Sequence, residues 1–115
     1  MTVLLYGIPN CDTVKKARTW LDANGVAYTF HDFKKQGVDE AMLRGWLKHV
    51  PLATLLNRKG TTWRALPDAD KARAEEEAGA IALMQQSPSL IKRPVLAHAG
   101  KVMVGFSADQ YASQF

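Results

Sequence analysis

One thiol stands where chemistry would make it a nucleophile. Cys11 follows Gly7, Pro9 and Asn10, residues that break a chain, and precedes Asp12-Thr-Val-Lys-Lys-Ala, where helical spacing begins. A cysteine at a helix start meets free backbone N–H groups and the positive end of the helix dipole, and both favour an anion. In such a place a thiol pKa falls from ~8.5 toward neutrality or below. Lys15 and Lys16 follow one turn later and are candidates to bring positive charge to the sulfur, while Asp12 opposes it. The thiolate is the attacking form, so the expected chemistry is opening a disulfide or capturing an oxidised substrate. Taken alone, a single cysteine is more often a small buried hydrophobe. The strand–Gly–Pro–Asn–Cys–helix setting reverses that preference.

Other thiol chemistries fail on spacing. Cys11 is the only cysteine, so no internal disulfide can form, and any disulfide chemistry must end on an external thiol such as glutathione or glutaredoxin. A C-x-x-C redox pair would need a second cysteine at position 14, which is Val14. A tyrosine-phosphatase-type loop would need arginine where Ala17 stands; Arg18 comes one residue late. His31, His49 and His98 are scattered without ligand spacing, so no metal site is expected.

The elements around Cys11 follow from pattern. Residues 2–6 are β-branched and apolar without alternation, which predicts a buried strand. Val14, Ala17, Leu21 and Asn24 keep helical spacing, and Gly25 ends it. Residues 26–33 predict a second strand with Val26, Tyr28 and Phe30 on one side. A crossover of this length makes a parallel β-α-β unit. Asp39 predicts a cap for a helix carrying Met42, Leu43, Trp46, Leu47 and Val50, and 52–57 a further short turn of helix. Residues 58–68 read as loop and 69–86 as helix, interrupted at Gly79. Residues 94–98 and 102–104 predict a hairpin turning at Ala99-Gly100, and Ser107-Ala-Asp-Gln a capping box opening a last helix. Trp20, Trp46 and Trp63 read as core or half-buried anchors, and Glu75–Glu77 as a solvated helix face.

The order β-α-β, helices, β-β-α is that of an α/β, thioredoxin-like fold. The expectation is a single domain over residues 1–115 with a helical insertion at about 38–87. Arg93-Pro94 opens the third strand. Proline there fits an edge strand or a cis bond, and a cis bond would turn the Arg93 backbone toward the cysteine loop, where an extended peptide such as glutathione could pair with it.

The net charge is +4, and it lies in one half: residues 1–60 hold nine Lys or Arg against five Asp or Glu, whereas residues 61–115 hold six of each. The excess suits nucleic acid, an anionic small molecule, or nothing beyond solubility; the partner expected is a small anionic or thiol substrate. No basic run exceeds two residues and no finger spacing occurs, so nucleic acid is not an expected partner. No apolar run approaches ~18 residues and the N-terminus lacks a signal-peptide pattern, so no membrane association is expected and the location expected is cytoplasmic. No long apolar surface stripe stands out, which suggests a monomer.

Four segments in order carry a family resemblance: NCDTVKKAR after the first strand, LLNRKG in the middle, IKRPVL before the hairpin and VGFS after it. Together they resemble the ArsC/Spx, or arsenate reductase-like, family, in particular its YffB-type members. The resemblance spans essentially the whole chain. It implies the thioredoxin-like fold with a helical insertion, Cys11 as catalytic cysteine, Arg93 as the arginine before a cis-proline at Pro94, and Arg58 as a mid-chain arginine that helps bind an oxyanion. The binding set expected around Cys11 is then Asn10, Lys15, Arg58, Arg93 and Pro94. The implied function is a glutathione-dependent thiol oxidoreductase, with glutathione as co-substrate, glutaredoxin as an alternative recycling thiol and no bound cofactor. Arsenate reduction proper is the second reading. The arsenate reductases carry a third arginine after the last strand, where this chain has Gly105-Phe106, and Ser-Arg where it has Val14-Lys15. An oxyanion site needs several converging donors. The third reading is an Spx-like, non-enzymatic module that binds RNA polymerase, although Val14 removes the C-x-x-C switch most Spx regulators carry.

Overall fold

The computed structural model describes residues 2–115, which form two compact units. The first comprises the segment through Gln36 and Arg93–Phe115; the second is Gly37–Lys92.

The first unit holds one four-stranded sheet of order β2-β1-β3-β4: β1 Leu4–Gly7, β2 Thr29–Asp32, β3 Val95–His98 and β4 Lys101–Val104. β1 pairs parallel with β2, with Leu5 opposite Phe30, and antiparallel with β3, with Tyr6 opposite Val95. Leu5, Tyr6, Val95 and Leu96 are buried, so the two central strands carry the apolar runs that the sequence concentrates there. Helix α1, Asp12–Ala23, is the crossover, and it buries Val14, Ala17 and Leu21 completely. Its end is a Schellman turn: Val26 N–H donates to the Leu21 carbonyl and Gly25 N–H to that of Asp22, with Gly25 at φ +67°. Val26, Tyr28 and Phe30 all pack on the cluster of Val3, Leu5, Ala17, Leu21, Leu96 and Tyr111, the side predicted for them.

β2 is shorter than the predicted 26–33. Asp32 stops it: its carboxylate accepts the Lys34 N–H (2.9 Å) and its own N–H donates to Gln36 Oε1 (3.1 Å), so Phe33–Gln36 becomes the short helix α2. The last helix, α8 (Ala108–Gln114), starts as its capping motif requires, with the Gln110 N–H donating to Ser107 Oγ. The hairpin turns through two residues of positive φ, Ala99 (52°) and Gly100 (76°). That pair of angles is a type I′ turn, in which asparagine is favoured and alanine carries a steric penalty. Ala99→Asn is expected to stabilise the protein by about 0.5–1 kcal/mol, read as a higher urea midpoint at unchanged slope; an unchanged or lower midpoint would contradict the turn assignment.

In the second unit, Asp39 caps α3 (Glu40–Leu47) by accepting the Met42 N–H at 2.8 Å, as predicted. α4 spans Leu52–Leu55. Two expectations need correction. The predicted loop 58–68 contains a helical turn, α5 (Thr61–Arg64), braced by Arg64 Nη2 donating to the Lys59 carbonyl (2.7 Å). The predicted helix 69–86 is two helices, α6 (Asp68–Arg73) and α7 (Glu77–Gln86), and the chain breaks at Ala74–Glu76 rather than at Gly79. α6 opens on Asp68 and Asp70 and closes on Lys71 and Arg73, a charge order that suits its dipole and favours stopping there. Glu75, Glu76 and Glu77 are exposed, as expected, but only Glu77 lies in a helix; Glu75 and Glu76 fall in the break. A 3-10 turn, Pro88–Leu90, and a bridge from Leu56 to Ile91 close the unit.

Candidate active site

β1 ends in a tight turn before α1. The Cys11 N–H donates to the Ile8 carbonyl (3.2 Å), with Pro9 and Asn10 exposed at the corner, where proline's fixed φ is suited to a turn. Cys11 is the N-cap residue of α1, in extended conformation, and its carbonyl accepts the Lys15 N–H (2.9 Å). Because the cap is a cysteine, the free N–H groups of the first turn face sulfur instead of a capping oxygen.

Cys11 is half-buried. Burial on its own raises the thiol pKa, but the backbone N–H of Val14, a hydrogen bond from the Arg93 guanidinium, the N–H of Thr13 and the charge of Arg93 together outweigh it. The net result lies below the ordinary value. Cys11 thus stands at the start of α1, the place the sequence reading gave it. The cation differs from the predicted one: it is Arg93, and the Lys15 side chain instead lines a surface groove with Lys16, Trp20 and Phe106. Arg18 is also engaged elsewhere, donating to Tyr28 Oη (3.0 Å) and lying over the Phe30 ring.

Arg93 reaches the sulfur because β3 pairs with β1. The Tyr6–Val95 register sets the start of β3 beside the end of β1. The Arg93–Pro94 bond is cis, and Pro94 is buried ahead of a central strand, so of the two placements open to it the edge strand is excluded. The Pro94 carbonyl accepts the Gly105 N–H (2.8 Å), which ties the end of β4 to the same corner. Phe106, next in the chain, packs edge-on against Tyr111 at 4.9 Å. Arg58 lies in the second unit, exposed, with its guanidinium 5.5 Å from the Trp63 ring centre. Sequence reasoning treated Arg93 only as a substrate ligand and missed its contact with the sulfur. The thioredoxin strand order, which brings those two chain segments together, was the signal available for finding it.

A thioredoxin-like sheet with a lone, acidified thiol heading its first helix defines the class of protein. Within it, the description "ArsC family" matches residues 6–114, and the chain belongs to that family. It is 54% identical to the YffB protein, whose structure superposes with a TM-score of 0.93 over 97% of each chain. It is 52% identical to an arsenate reductase (ArsC) related protein from Brucella melitensis, with a TM-score of 0.77 over 98% of this chain and 93% of that one. At 25% identity it also matches the global transcriptional regulator Spx of Streptococcus mutans, over 94% of this chain and 79% of the regulator.

Proposed function

We propose that this chain is a glutathione-dependent thiol oxidoreductase acting through Cys11. The observation that carries the reading is the sulfur held between the first-turn N–H groups of α1 and the Arg93 guanidinium, with its pKa lowered despite partial burial. In the proposed step the Cys11 thiolate attacks one sulfur of a disulfide R–S–S–R′. A Cys11–S–S–R bond forms, the S–S bond breaks and R′–S⁻ leaves with the electron pair. A glutathione thiolate then attacks the R sulfur, forming a glutathione disulfide and restoring the Cys11 thiolate. Since the chain has no second cysteine, the resolving electrons come from outside, from glutathione or a glutaredoxin. Arg93 is assigned an anionic group of substrate or glutathione in addition to the sulfur, and Asn10 and Pro94, the chain neighbours of Cys11 and Arg93, are assigned to the same binding set by the family resemblance. Arg58 is assigned an anion by the family resemblance. The cytoplasm, where glutathione keeps thiols reduced, is the fitting compartment. No helix among the described residues is long and apolar enough to cross a membrane.

Arsenate as substrate is disfavoured. Where the arsenate reductases have a third arginine, this chain has Gly105, whose N–H is spent on Pro94, and Phe106, packed on Tyr111. An Spx-like redox switch is disfavoured as well, because Val14 fills a fully buried position where that switch has its second sulfur.

The test is the pH dependence of Cys11 alkylation by iodoacetamide. The wild-type rate is expected to reach half its plateau clearly below pH ~8.5, and Arg93→Ala to move that point upward. The sign also fixes a stability effect. A thiol whose folded pKa is depressed stabilises the fold above the unfolded value and loses that contribution as pH falls through the folded one; Arg93→Ala narrows this window. A wild-type midpoint at or above ~8.5 would sink the enzyme reading.

A further inference from the structure

Along α1 runs a surface groove of about 530 Å³, lined by Lys15, Lys16, Thr19 and Trp20 of the helix and by Phe106 from the segment after β4. That is the size of a site for a small molecule. Its walls are fixed. Trp20 and Phe106 are both half-buried, and each meets the ring of Tyr111 edge-on, at 5.6 Å and 4.9 Å. Tyr111 itself is fully buried. Two aromatic side chains on one buried support keep their spacing, and a ligand ring against them gains from edge or stacked contact. Ala23 and Ala108 complete the lining, and their small side chains leave the space open.

The charge of the groove has one sign. Lys15 and Lys16 are exposed in it, and no carboxylate lines it; Asp12 and Asp109, close in sequence, are outside the lining. Among the described residues the ion pairs are Arg44 with Glu40 and Glu77, and Arg73 with Asp70, so neither lysine is paired. Burying a ring would drive binding, and the two ammonium groups would select a negative charge on it. Both sides of the groove start at the thiol. Cys11 heads the i, i+4 row that continues through Lys15, Thr19 and Ala23, so the lining begins about 6 Å beyond the cysteine and runs for about 12 Å. Opposite, Phe106 follows Gly105, whose N–H donates to the carbonyl of Pro94, and Pro94 follows the Arg93 that bonds the sulfur.

We infer that this groove binds one half of the disulfide substrate, an aromatic group carrying a carboxylate, and so selects which disulfides Cys11 opens. A ring with a short acid chain matches the length and the charge of the groove. Glutathione, polar along its length, lacks the ring that Trp20 and Phe106 would cover. Held as R, the aromatic half becomes bonded in Cys11–S–S–R while R′–S⁻ leaves with the electron pair. The choice of a disulfide half rests on the thiol exchange proposed for Cys11; capture of an aromatic acid by the groove does not.

The test titrates the isotopically labelled protein with phenylpropionate, and in parallel with phenylpropanol, which lacks the charge, and propionate, which lacks the ring. Phenylpropionate is expected to give saturable amide shifts at Lys16, Thr19, Trp20 and Phe106. Phenylpropanol is expected to bind about threefold more weakly, and propionate not to saturate. Thr19→Trp, which fills the groove from an exposed position, is expected to abolish binding, and Lys101→Ala, in the hairpin, to leave it unchanged. Exchange is then followed with the mixed disulfides of glutathione with mercapto-phenylpropionate and with mercaptoethanol. Thr19→Trp is expected to lower kcat/KM for the first relative to the second about tenfold, through KM. The amide spectrum of Thr19→Trp away from α1 checks its fold, and Ala23→Leu supplies a second obstruction. Shifts that do not saturate, equal binding of phenylpropanol, or binding that survives both obstructions overturn the inference. So do shifts that follow protein concentration alone, which would place a second copy in the groove. An unchanged ratio in Thr19→Trp overturns the link to the disulfide. Intact binding without exchange on either disulfide sinks the Cys11 reading instead, and the substrate assignment falls with it.

Discussion

Replacing one atom, in Cys11→Ser, is expected to lower thiol–disulfide exchange by roughly 10³-fold or more while leaving the fold intact. Serine accepts hydrogen bonds from the same first-turn N–H groups and is a favoured N-cap, so α1 keeps or gains stability. Its hydroxyl, however, is hardly ionised near neutrality and attacks sulfur poorly. No other thiol in the chain can substitute. The measurement is reduction of a glutathione mixed disulfide at saturating glutathione, with a melting curve beside it. Rates equal to wild type in a folded Cys11→Ser protein would end the proposal, because glutathione would then be reacting without the protein. A loss accompanied by unfolding is distinguished from chemistry by the melting curve, and Cys11→Ala supplies a second inactive but folded form.

The other large effect expected is on stability, and it separates two glycines in two helices. Gly79 sits in the first turns of α7, where a Cβ would collide with the Arg73 backbone carbonyl. Backbone cannot swing aside as a flexible side chain can. Gly79→Ala is expected to cost about 2–3 kcal/mol. Gly45, inside α3, has nothing within 4 Å of where its Cβ would be. Gly45→Ala removes backbone freedom from the unfolded chain at no steric cost and is expected to add up to about 1 kcal/mol. Urea unfolding of both variants reads the difference. A Gly79→Ala protein as stable as wild type or more so would show that the close approach of α7 to Arg73 is wrong, and a destabilised Gly45→Ala that the space at Gly45 is not open.

Gly79 also marks where reading the sequence fell short. Its low helix propensity suggested a break, but propensity is a local quantity. The break is set by tertiary packing: α7 comes close enough to the end of α6 to exclude a side chain, so the glycine belongs inside the helix. The loop 58–68 fails for a similar reason, since Arg64 braces its turn through a carbonyl five residues back that no periodicity reveals. Where one local pattern decided, the sequence was legible. The unalternated apolar run of β1, the Asp39 and Ser107 caps and the Gly25 stop all appear close to where they were expected. The thiol at the helix start was legible because the turn and the N-cap are adjacent in sequence. Arg93 at the sulfur and Lys92 beside Arg58 and Lys59 were not, since each is a meeting of segments more than thirty residues apart.

The ladder joining β1 to β3 has a consequence for how such a protein can diversify. Every group that lowers the thiol pKa, from the two amides of α1 to Arg93, belongs to the strand-and-helix unit. The contacts that favour the thiolate are therefore inherited with that unit as a fixed setting. Substitutions in the helical unit of Gly37–Lys92 leave every one of those groups in place, so a lineage can remodel that unit without touching the surroundings of the thiol.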